Sequence, residues 1–376
     1  MSGAPRRLLL LGGGHAHVQV LDAWARTPLP GVELCLVTPY ARQMYSGMVP
    51  GLVAGHYAAA QCAIPLPALA AAAGAKLRLD AAVALDAAAR RVTLAGGEVL
   101  DYNWLSIDTG PVMDRDALPG AREHALCVRP IEDFVAQLEA LLQPAARRRM
   151  DVAVIGAGAA GVELAMALAW RLRHAGDGAS RVVLLTGGGD PLPGFVPQVR
   201  QRCVRALAGL GVSVRSQACE RIDAGELQLG DGERLPCDLP LLAIGASAPS
   251  WLAGSGLALD ERGFVATGPT LQSRSHAEVF AAGDVATRVD APHPKSGVYA
   301  VRAGPPLAAN LRRALHGGPL QTHVPQRRTL YLLSCGERRA IASWGGWTAE
   351  GAWVWRWKDR IDRAFIARYT RAPSAQ

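Results

Sequence analysis

Residues 279–297 read VFAAGDVATRVDAPHPKSG, a stretch that joins an acidic turn to a predicted helix start. Residues 279–282 form an apolar run typical of a short buried strand, and Gly283 allows a sharp turn that leaves Asp284 at the strand's carboxyl end. A carboxylate there suits a sugar hydroxyl. About ten residues later, Pro-Lys-Ser-Gly at 294–297 precedes an apolar periodic run. A helix that starts there exposes free N–H groups and the positive end of its dipole, which stabilise a nearby anion.

A glycine turn near the N-terminus predicts a second part of the same site. Residues 8–11 are four leucines, and Gly12-Gly13-Gly14 separates them from a helical pattern that runs to about residue 26. Gly12 permits the tight turn and Gly14 lets a pyrophosphate approach the helix start. The third glycine of this fingerprint is replaced by His17. The strand predicted at 32–37 ends at Thr38, where an acidic residue is expected to hold an adenosine ribose.

A complete GxGxxG follows at Gly156, Gly158 and Gly161, between a strand at 152–155 and an amphipathic helix. This context favours a second nucleotide-binding unit. Residues 238–249 repeat the form of residues 101–111, an apolar strand that ends in glycine and is followed by proline. The sequence therefore predicts an α/β protein with two similar Rossmann-like units, each with a three-layer ββα architecture. The second unit is inserted in the first.

These motifs resemble the FAD-dependent pyridine nucleotide-disulfide oxidoreductases, especially their type II NADH:quinone and sulfide:quinone branches. The form GGGHAHVQVL at residues 12–21 resembles a subgroup associated with selenophosphate synthetase. The resemblance implies FAD as cofactor and NAD(P)H as co-substrate. It implies cofactor contacts at Gly12, Gly14, His15, Thr38, Ser46, Pro50, Val83, Thr109, Gly110, Gly156, Gly158, Gly161, Gly245, Gly283, Asp284, Ser296 and Gly297. Of these, Gly156, Gly158 and Gly161 belong to the NAD(P)H turn.

Two residues are predicted to act in catalysis. Glu163 matches an acidic residue that the family places near the nicotinamide ribose. Lys295 precedes the helix start, where its charge would stabilise reduced flavin or a quinone oxygen, and a solvent-facing lysine is the alternative. No metal site is expected. The expected reaction passes electrons from NAD(P)H through flavin to a quinone or similar acceptor.

Two alternatives stay open at the level of sequence. A sulfide- or selenide-oxidising quinone reductase needs paired thiols, for which Cys127 and Cys335 serve only if folding brings them together. A non-catalytic flavoprotein that senses redox state or docks a partner, linked to selenium metabolism through a separate selenophosphate synthetase, fits the relaxed positions His17, Thr38 and Thr186.

Domain boundaries follow from the two units. We expect an FAD-binding domain at 1–115 and 250–320, an NAD(P)H-binding domain at 116–249, and a Trp-rich hairpin and helix at 321–376. The tail holds +6 of the chain's net charge of +8, so the charge does not indicate nucleic acid. Within it, Trp353, Trp355 and Trp357 alternate as on one face of a strand.

The Trp and Arg residues of the tail are what a peripheral membrane anchor contains, and packing against the main domains or across a homodimer is the alternative. Seven scattered cysteines, none in a CxxC spacing, fit the cytosol. Long uncharged stretches at 43–75 and 239–259 are interrupted by proline and glycine, so no membrane span is expected. We expect a cytoplasmic protein, and a membrane anchor in the tail would place it on the inner face of the plasma membrane.

Overall fold

The computed structural model describes residues 5–142, 148–175 and 180–370. Its strands, in chain order, are β1 (Arg6–Leu11), β2 (Val32–Val37), β3 (Arg42–Met44), β4 (Ala63–Pro65), β5 (Lys76–Arg78), β6 (Ala82–Asp86), β7 (Arg91–Leu94), β8 (Val99–Asp101), β9 (Trp104–Ile107), β10 (Leu126–Cys127), β11 (Asp151–Ile155), β12 (Arg181–Leu185), β13 (Ser213–Arg215), β14 (Cys219–Asp223), β15 (Glu226–Leu229), β16 (Arg234–Pro236), β17 (Leu239–Leu242), β18 (Val265–Thr267), β19 (Val279–Ala281), β20 (Ala286–Arg288), β21 (Leu330–Ser334), β22 (Ala340–Trp344) and β23 (Trp347–Gly351). Its α-helices are α1 (His15–Arg26), α2 (Val49–Val53), α3 (Leu66–Ala72), α4 (Ala121–His124), α5 (Ile131–Leu142), α6 (Ala159–Ala175), α7 (Pro197–Gly209), α8 (Gly297–Leu315) and α9 (Ala352–Thr370).

Two parallel five-stranded sheets form the centres of two similar units. The first has the order β19-β9-β1-β2-β5 and the second the order β10-β17-β11-β12-β13. Leu8 to Leu11 of β1 are fully buried because both faces of a parallel sheet are covered. The second sheet lies, in sequence, between β9 and β19 of the first, so the predicted α/β fold with one unit inserted in the other is confirmed. The domain boundaries at 115, 249 and 320 stay predictions.

Each unit also carries a three-stranded antiparallel sheet, β6-β7-β8 in the first and β14-β15-β16 in the second. Residues 76–86 contribute to both sheets: β5 joins the parallel sheet and β6 begins the antiparallel one. The break occurs at Asp80, whose carboxylate accepts hydrogen bonds from the amides of Ala81 (2.7 Å) and Gly96 (3.0 Å). Such local side-chain bonds compete with strand pairing.

Helices α1 and α8 pack closely behind the first sheet. Gly304 of α8 lies against Gln19 of α1, and a Cβ at Gly304 would come 2.9 Å from the Gln19 Cβ. The Gln19 amide donates across the contact to the Val301 carbonyl. This close approach places the start of α8 beside the start of α1, since both helices begin at the same edge of the sheet.

The C-terminal region combines the sheet β21-β22-β23 with α9. The predicted hairpin over 331–335 and 339–344 is present as β21 and β22, but the strand inferred from Trp353, Trp355 and Trp357 is wrong. These residues begin α9, where Trp353 and Trp357 stack one turn apart with ring centroids 6.4 Å apart. Trp355 turns away from them and lies parallel to the Tyr57 ring.

The buried positions of α9 explain the helix. They are Val354, Lys358, Asp362, Ile366 and Tyr369, a spacing that suits a helical face and not a strand. Among the helices of residues 5–142, 148–175 and 180–370, none is long and apolar enough to cross a membrane.

Candidate functional site

A cavity of about 730 Å³ opens at the carboxyl ends of the strands in the first sheet. Parallel strands present their carboxyl ends at one edge, so turns that are distant in sequence meet there. Its volume is that of a cleft for a cofactor or a sizeable ligand. The predicted site residues that line it are Gly12, Gly14, His15, Thr38, Ser46, Thr109, Gly110, Asp284 and Gly297.

The turn between β1 and α1 requires glycine. Gly12 has a φ of +90°, and its amide donates to the Val37 carbonyl at 2.8 Å. A Cβ at Gly14 would lie 2.5 Å from the Asp108 carboxyl group, so only hydrogen fits there. Helix α1 then starts at His15, on the edge of the cavity.

Asp108 lies directly after β9 and is buried under this turn. Its Oδ2 accepts hydrogen bonds from the amides of Ala16 (2.8 Å) and His17 (2.9 Å). Burial raises the pKa of the Asp108 carboxyl to about 8, although these two hydrogen bonds oppose the shift. The His17 ring bonds the Gly12 carbonyl at 2.6 Å and the Ser106 hydroxyl at 2.8 Å, and burial lowers its pKa to about 4.

Asp284 lies in the turn after β19, as the sequence predicts. Gly283 has a φ of +71°, and a side chain there would collide with the Asp108 carboxylate. The Arg129 guanidinium lies 3.4 Å from Asp284 Oδ2. Burial raises the pKa of Asp284, and the charge of Arg129 opposes this. The sequence contains no motif that marks Arg129, because only the tertiary fold brings the loop after β10 to the end of β19.

The start of α8 forms another part of the cleft wall. Ser296 precedes the helix, and its hydroxyl oxygen is buried without a hydrogen bond to the described residues, although the Tyr331 hydroxyl is near. A Cβ at Gly297 would lie 2.8 Å from the Ser46 hydroxyl. A buried oxygen without a partner is costly unless a ligand supplies one. This helix start therefore suits a polar or anionic group.

An aromatic cluster lies next to His15, which lines the cavity. Tyr45 stacks on Phe365 of α9 with ring centroids 4.5 Å apart, and both rings lie near His15. Burial lowers the pKa of His15 to about 4, and the Arg129 charge adds to the effect. Beside it, the side-chain oxygen of Gln43 is buried without a partner. No motif in the sequence marks this cluster, because Phe365 meets Tyr45 only through the packing of α9.

The placement predicted for Lys295 is corrected by the structure. Its ammonium group donates to the Ala286 carbonyl (2.8 Å) and the Thr287 hydroxyl (3.0 Å), and it lies 3.8 Å from the centroid of the Phe264 ring. The residue is not among those that line the cavity. Burial lowers its pKa to about 8, whereas the nearby Asp284 charge opposes the shift. These contacts hold the side chain behind the cleft wall, so it is neither solvent-facing nor in the cleft.

Comparison with known proteins identifies the group to which this architecture belongs. Residues 6–304 match the model of a protein family described as pyridine nucleotide-disulphide oxidoreductase. The chain belongs to this family. A demethylphylloquinone reductase of Synechocystis sp. is 27% identical over 304 residues, which are 77% of this chain and 74% of that protein.

Two solved structures show the fold of this family over nearly the whole chain. The sulfide:quinone oxidoreductase of Aquifex aeolicus has a TM-score of 0.79 at 18% identity and covers 98% of this chain and 93% of its own. The NDH2 of Plasmodium falciparum, solved with NADH, has a TM-score of 0.80 at 12% identity and covers 97% of each chain. At these identities the likeness concerns the fold alone.

The second glycine turn of this family member lies after β11, outside the cavity described above. Gly156 has a φ of +111°, and a Cβ there would lie 2.5 Å from the Ala243 carbonyl oxygen. Gly161 is packed against the Gly156 carbonyl, whereas Gly158 and Gly245 face open space. The turn is therefore packed closely against the protein at Gly156 and Gly161 and open at Gly158, as a nucleotide-binding turn requires.

Glu163 does not lie at the front of this turn. It is partly buried on α6, and its carboxylate accepts a hydrogen bond from the Ser334 amide at 2.7 Å. Burial raises its pKa to about 7, and the Lys358 charge opposes the shift. The structure corrects the prediction of a ribose contact, because this side chain points to the C-terminal sheet.

Two further predicted contacts are displaced from the cleft. Val83 lies in an irregular part of the β6-β7 pairing and its side chain is 48% exposed, whereas the preceding Ala81 and Ala82 line the cavity. Pro50 is buried inside the short helix α2 and does not reach the cavity. Near Val83 the residues that line the cavity are Ala81 and Ala82, and near Pro50 the residue that lines it is Ser46.

The cysteines of the chain are all free, and six of the seven are buried. Burial raises the pKa of the Cys335 thiol, and the nearby Cys203 adds to the effect. A thiol with a raised pKa is a poor nucleophile, because the thiolate is the reactive form. Neither Cys127 nor Cys335 is among the residues that line the cavity.

Proposed function

We propose that this protein is an FAD-dependent oxidoreductase that passes electrons from NAD(P)H to a quinone or similar acceptor. The observation that carries the proposal is the meeting, in one cavity, of the Gly12–Gly14 turn, Asp284 and Gly297. These groups come from three separate segments of the chain. Together they complement one extended dinucleotide.

The residues of the cleft have distinct tasks in this proposal. The Gly12 and Gly14 turn gives room for a diphosphate, and Asp284 accepts hydrogen bonds from sugar hydroxyls. The Ser296 hydroxyl and the first amides of α8 would hold the flavin edge that becomes negative on reduction. FAD, when bound, supplies the transfer of hydride and electrons. NAD(P)H is assigned to the second turn, at Gly156, Gly158 and Gly161.

The acceptor class is inferred from the relatives and from the thiols. The Synechocystis relative is named for reduction of a quinone, and the Aquifex structure is named for a sulfide:quinone enzyme. Sulfide or selenide oxidation needs reactive thiols at the flavin, whereas Cys127 and Cys335 are buried outside the cavity. We therefore favour a quinone acceptor with NAD(P)H as the donor.

The direct test uses absorbance of the purified protein. A bound flavin gives a yellow protein, whose absorbance NADH bleaches under anaerobic conditions and a soluble quinone restores. A protein that binds FAD but is not bleached by NADH or NADPH would indicate a docking or redox-sensing flavoprotein. The link to selenophosphate synthetase depends on the motif at residues 12–21 alone, and a mixing experiment with that enzyme on a sizing column tests it.

We also propose that the tail contacts a membrane surface through two exposed tryptophan pairs. Trp344 and Trp347 flank the β22-β23 turn, and Trp353 and Trp357 stack on α9; these four are between 36% and 52% exposed. Exposed Arg356 on α9 adds positive charge beside them. Tryptophan beside arginine suits the interface of an anionic bilayer.

Vesicle flotation tests this surface. The protein is expected to float with anionic vesicles and to lose binding in a Trp353→Ala/Trp357→Ala variant, whereas Leu79→Ala, an exposed apolar position elsewhere, leaves binding unchanged. If the double variant instead converts a dimer to a monomer in sedimentation, the surface is a homodimer contact.

A further inference from the structure

His17, which replaces the third glycine of the nucleotide fingerprint, forms one buried cluster with Asp108 and Ser106. Asp108 stands directly after β9, and Ser106 contacts the His17 ring. The His17 ring has one nitrogen on the Gly12 carbonyl (2.6 Å) and the other on Ser106 Oγ (2.8 Å). The backbone amide of His17 donates to Asp108 Oδ2. Hydrogen bonds thus join His17, Ser106 and Asp108 into one cluster around the first glycine turn.

This cluster changes the anion site at the start of α1. In the usual fingerprint the free amides of the first helical turn receive the diphosphate. Here the amides of Ala16 and His17 already donate to Asp108 Oδ2, at 2.8 and 2.9 Å. A diphosphate bound to the remaining amides of the turn would lie beside this carboxyl group.

A second carboxylate faces the same place. Asp284 follows Gly283, and a side chain at Gly283 would collide with Asp108 Oδ1. The two carboxyl groups are therefore near each other, and they repel when both are charged. Two carboxylates and a diphosphate in one partly buried site cannot all be charged without a large electrostatic cost. Arg129 offsets the charge of Asp284 at 3.4 Å, but no cation in the described residues contacts Asp108.

We propose that Asp108 is a carboxylic acid in the FAD complex, and that FAD binding at the α1 turn requires this proton, which is taken from solvent when Asp108 is ionised. The inference depends on the proposed occupation of the cleft by FAD. Oδ2 keeps its two amide donors, and Oδ1 carries the proton toward Asp284 or a phosphate oxygen. Asp108 is therefore a binding residue that links cofactor affinity to pH.

The other titratable groups around Asp108 allow the pH range to be assigned. Burial lowers the pKa values of His15 and His17, on α1, to about 4, so both are neutral above pH 6. Burial raises the pKa of Asp108 to about 8 and lowers the pKa of Lys295, behind Asp284, to about 8. Asp108 and Lys295 are thus the two groups that titrate in the alkaline range, and the experiment must separate them.

The test measures the FAD dissociation constant of the full-length holoprotein between pH 7 and pH 9. Holoprotein is diluted at each pH and the released FAD is quantified by its fluorescence. If only the protonated form of Asp108 binds, the dissociation constant rises about tenfold over this range, since the competent fraction falls as the pH passes the pKa. Asp108→Asn keeps the shape and cannot ionise, so its curve is expected to be flat.

Two matched variants control the measurement. Asp114→Asn removes an exposed carboxylate that also lines the cavity, and Lys295→Met removes the other alkaline titration. Both are expected to keep the pH dependence of the wild type. A flat wild-type curve, or one that persists in Asp108→Asn and disappears in Lys295→Met, would overturn the inference while the bound FAD still supports the proposed function.

A second readout does not need the Asn variant to fold. Calorimetry of FAD binding near pH 8, in two buffers of different ionisation enthalpy, reports protons taken up by the wild type. An uptake of about half a proton is expected near the pKa. Zero uptake contradicts the inference, and a chain that binds no FAD at any pH contradicts both the inference and the proposed function.

Discussion

Glu163 is an example of a single carboxylate whose environment sets its effect on stability. It lies between α6 and the C-terminal sheet and is partly buried, with the Ser334 amide at 2.7 Å. Burial raises its pKa to about 7, because the charged form loses hydration that one amide and the Lys358 charge replace only in part. A carboxyl group with a raised pKa in the folded state stabilises the fold when it is protonated.

The raised pKa of Glu163 predicts that the free energy of unfolding falls as the pH rises. The stability that Glu163 contributes is fully present below its unfolded pKa near 4.5 and is lost as the pH rises through about 7. The free energy of unfolding in urea should therefore fall more between pH 5 and pH 8.5 in the wild type than in Glu163→Gln. The exposed Glu139→Gln is the control and should follow the wild type. Parallel curves for the wild type and Glu163→Gln would contradict the assignment.

At the scale of elements, the contact between α1 and α8 holds the two helix starts beside the cleft. Gly304 lets α8 approach Gln19 closely enough for that side chain to donate to the Val301 carbonyl. A Cβ at this glycine would meet the Gln19 amide group and its Cβ, and the latter cannot rotate away. The separation of the helices therefore depends on the missing side chain.

Gly304→Ala is expected to lower the free energy of unfolding by about 1–3 kcal/mol, because an extra methyl must push apart two packed helices. It should also weaken FAD binding, since Gly297 begins the same helix. Gly209→Ala, at the end of α7 with no atom within 4 Å of the new Cβ, is the matched control and should be neutral or slightly stabilising. Equal urea midpoints for both variants would show that α1 and α8 adjust freely. Addition of Gln19→Ala should recover part of the loss.

At the scale of the whole molecule, a buried ion pair on α9 attaches the C-terminal region to the segment around Gly47. Lys358 Nζ lies 2.6 Å from Asp362 Oδ2 and also donates to the Gly47 carbonyl, and the two side chains are 9% and 6% exposed. Tyr45 lies beside Asp362, and this neighbour and burial raise the pKa of its hydroxyl. The pair thus attaches the C-terminal region to the loop that holds Tyr45 and Ser46.

Loss of one partner leaves a buried charge without compensation. Lys358→Met is expected to cost about 3–5 kcal/mol of unfolding free energy, whereas a Lys358→Met/Asp362→Leu double variant, which removes both charges, should recover most of it. The exposed pair Arg363–Asp359 on the same helix is the control, and Arg363→Met should cost under about 1 kcal/mol. Additive losses in the double variant, measured by urea unfolding, would contradict a coupled pair.

Particular residues show how far the sequence predicts this site. The turns at Gly12, Gly156 and Gly283 were located from the sequence because each needs a backbone conformation or a close approach that only glycine gives. Asp284 and the start of α8 at Gly297 were placed for a similar reason, since a strand end and a helix start are local features. The fold class followed from the repeated order of such local features.

The tertiary structure alone decided which side chains meet at the cleft. Arg129 reaches Asp284 and Phe365 reaches Tyr45 across 155 and 320 positions of sequence, and Asp108 bonds the first turn of α1 from the end of β9. Glu163 and Lys295, predicted to face the cofactor, instead bond Ser334 and the Ala286–Thr287 segment. Backbone turns are set by the conformational limits of a few adjacent residues, whereas side-chain contacts depend on how complete elements pack. The sequence by itself therefore determined the two nucleotide-binding turns and their order, and only packing determined the charges that surround them.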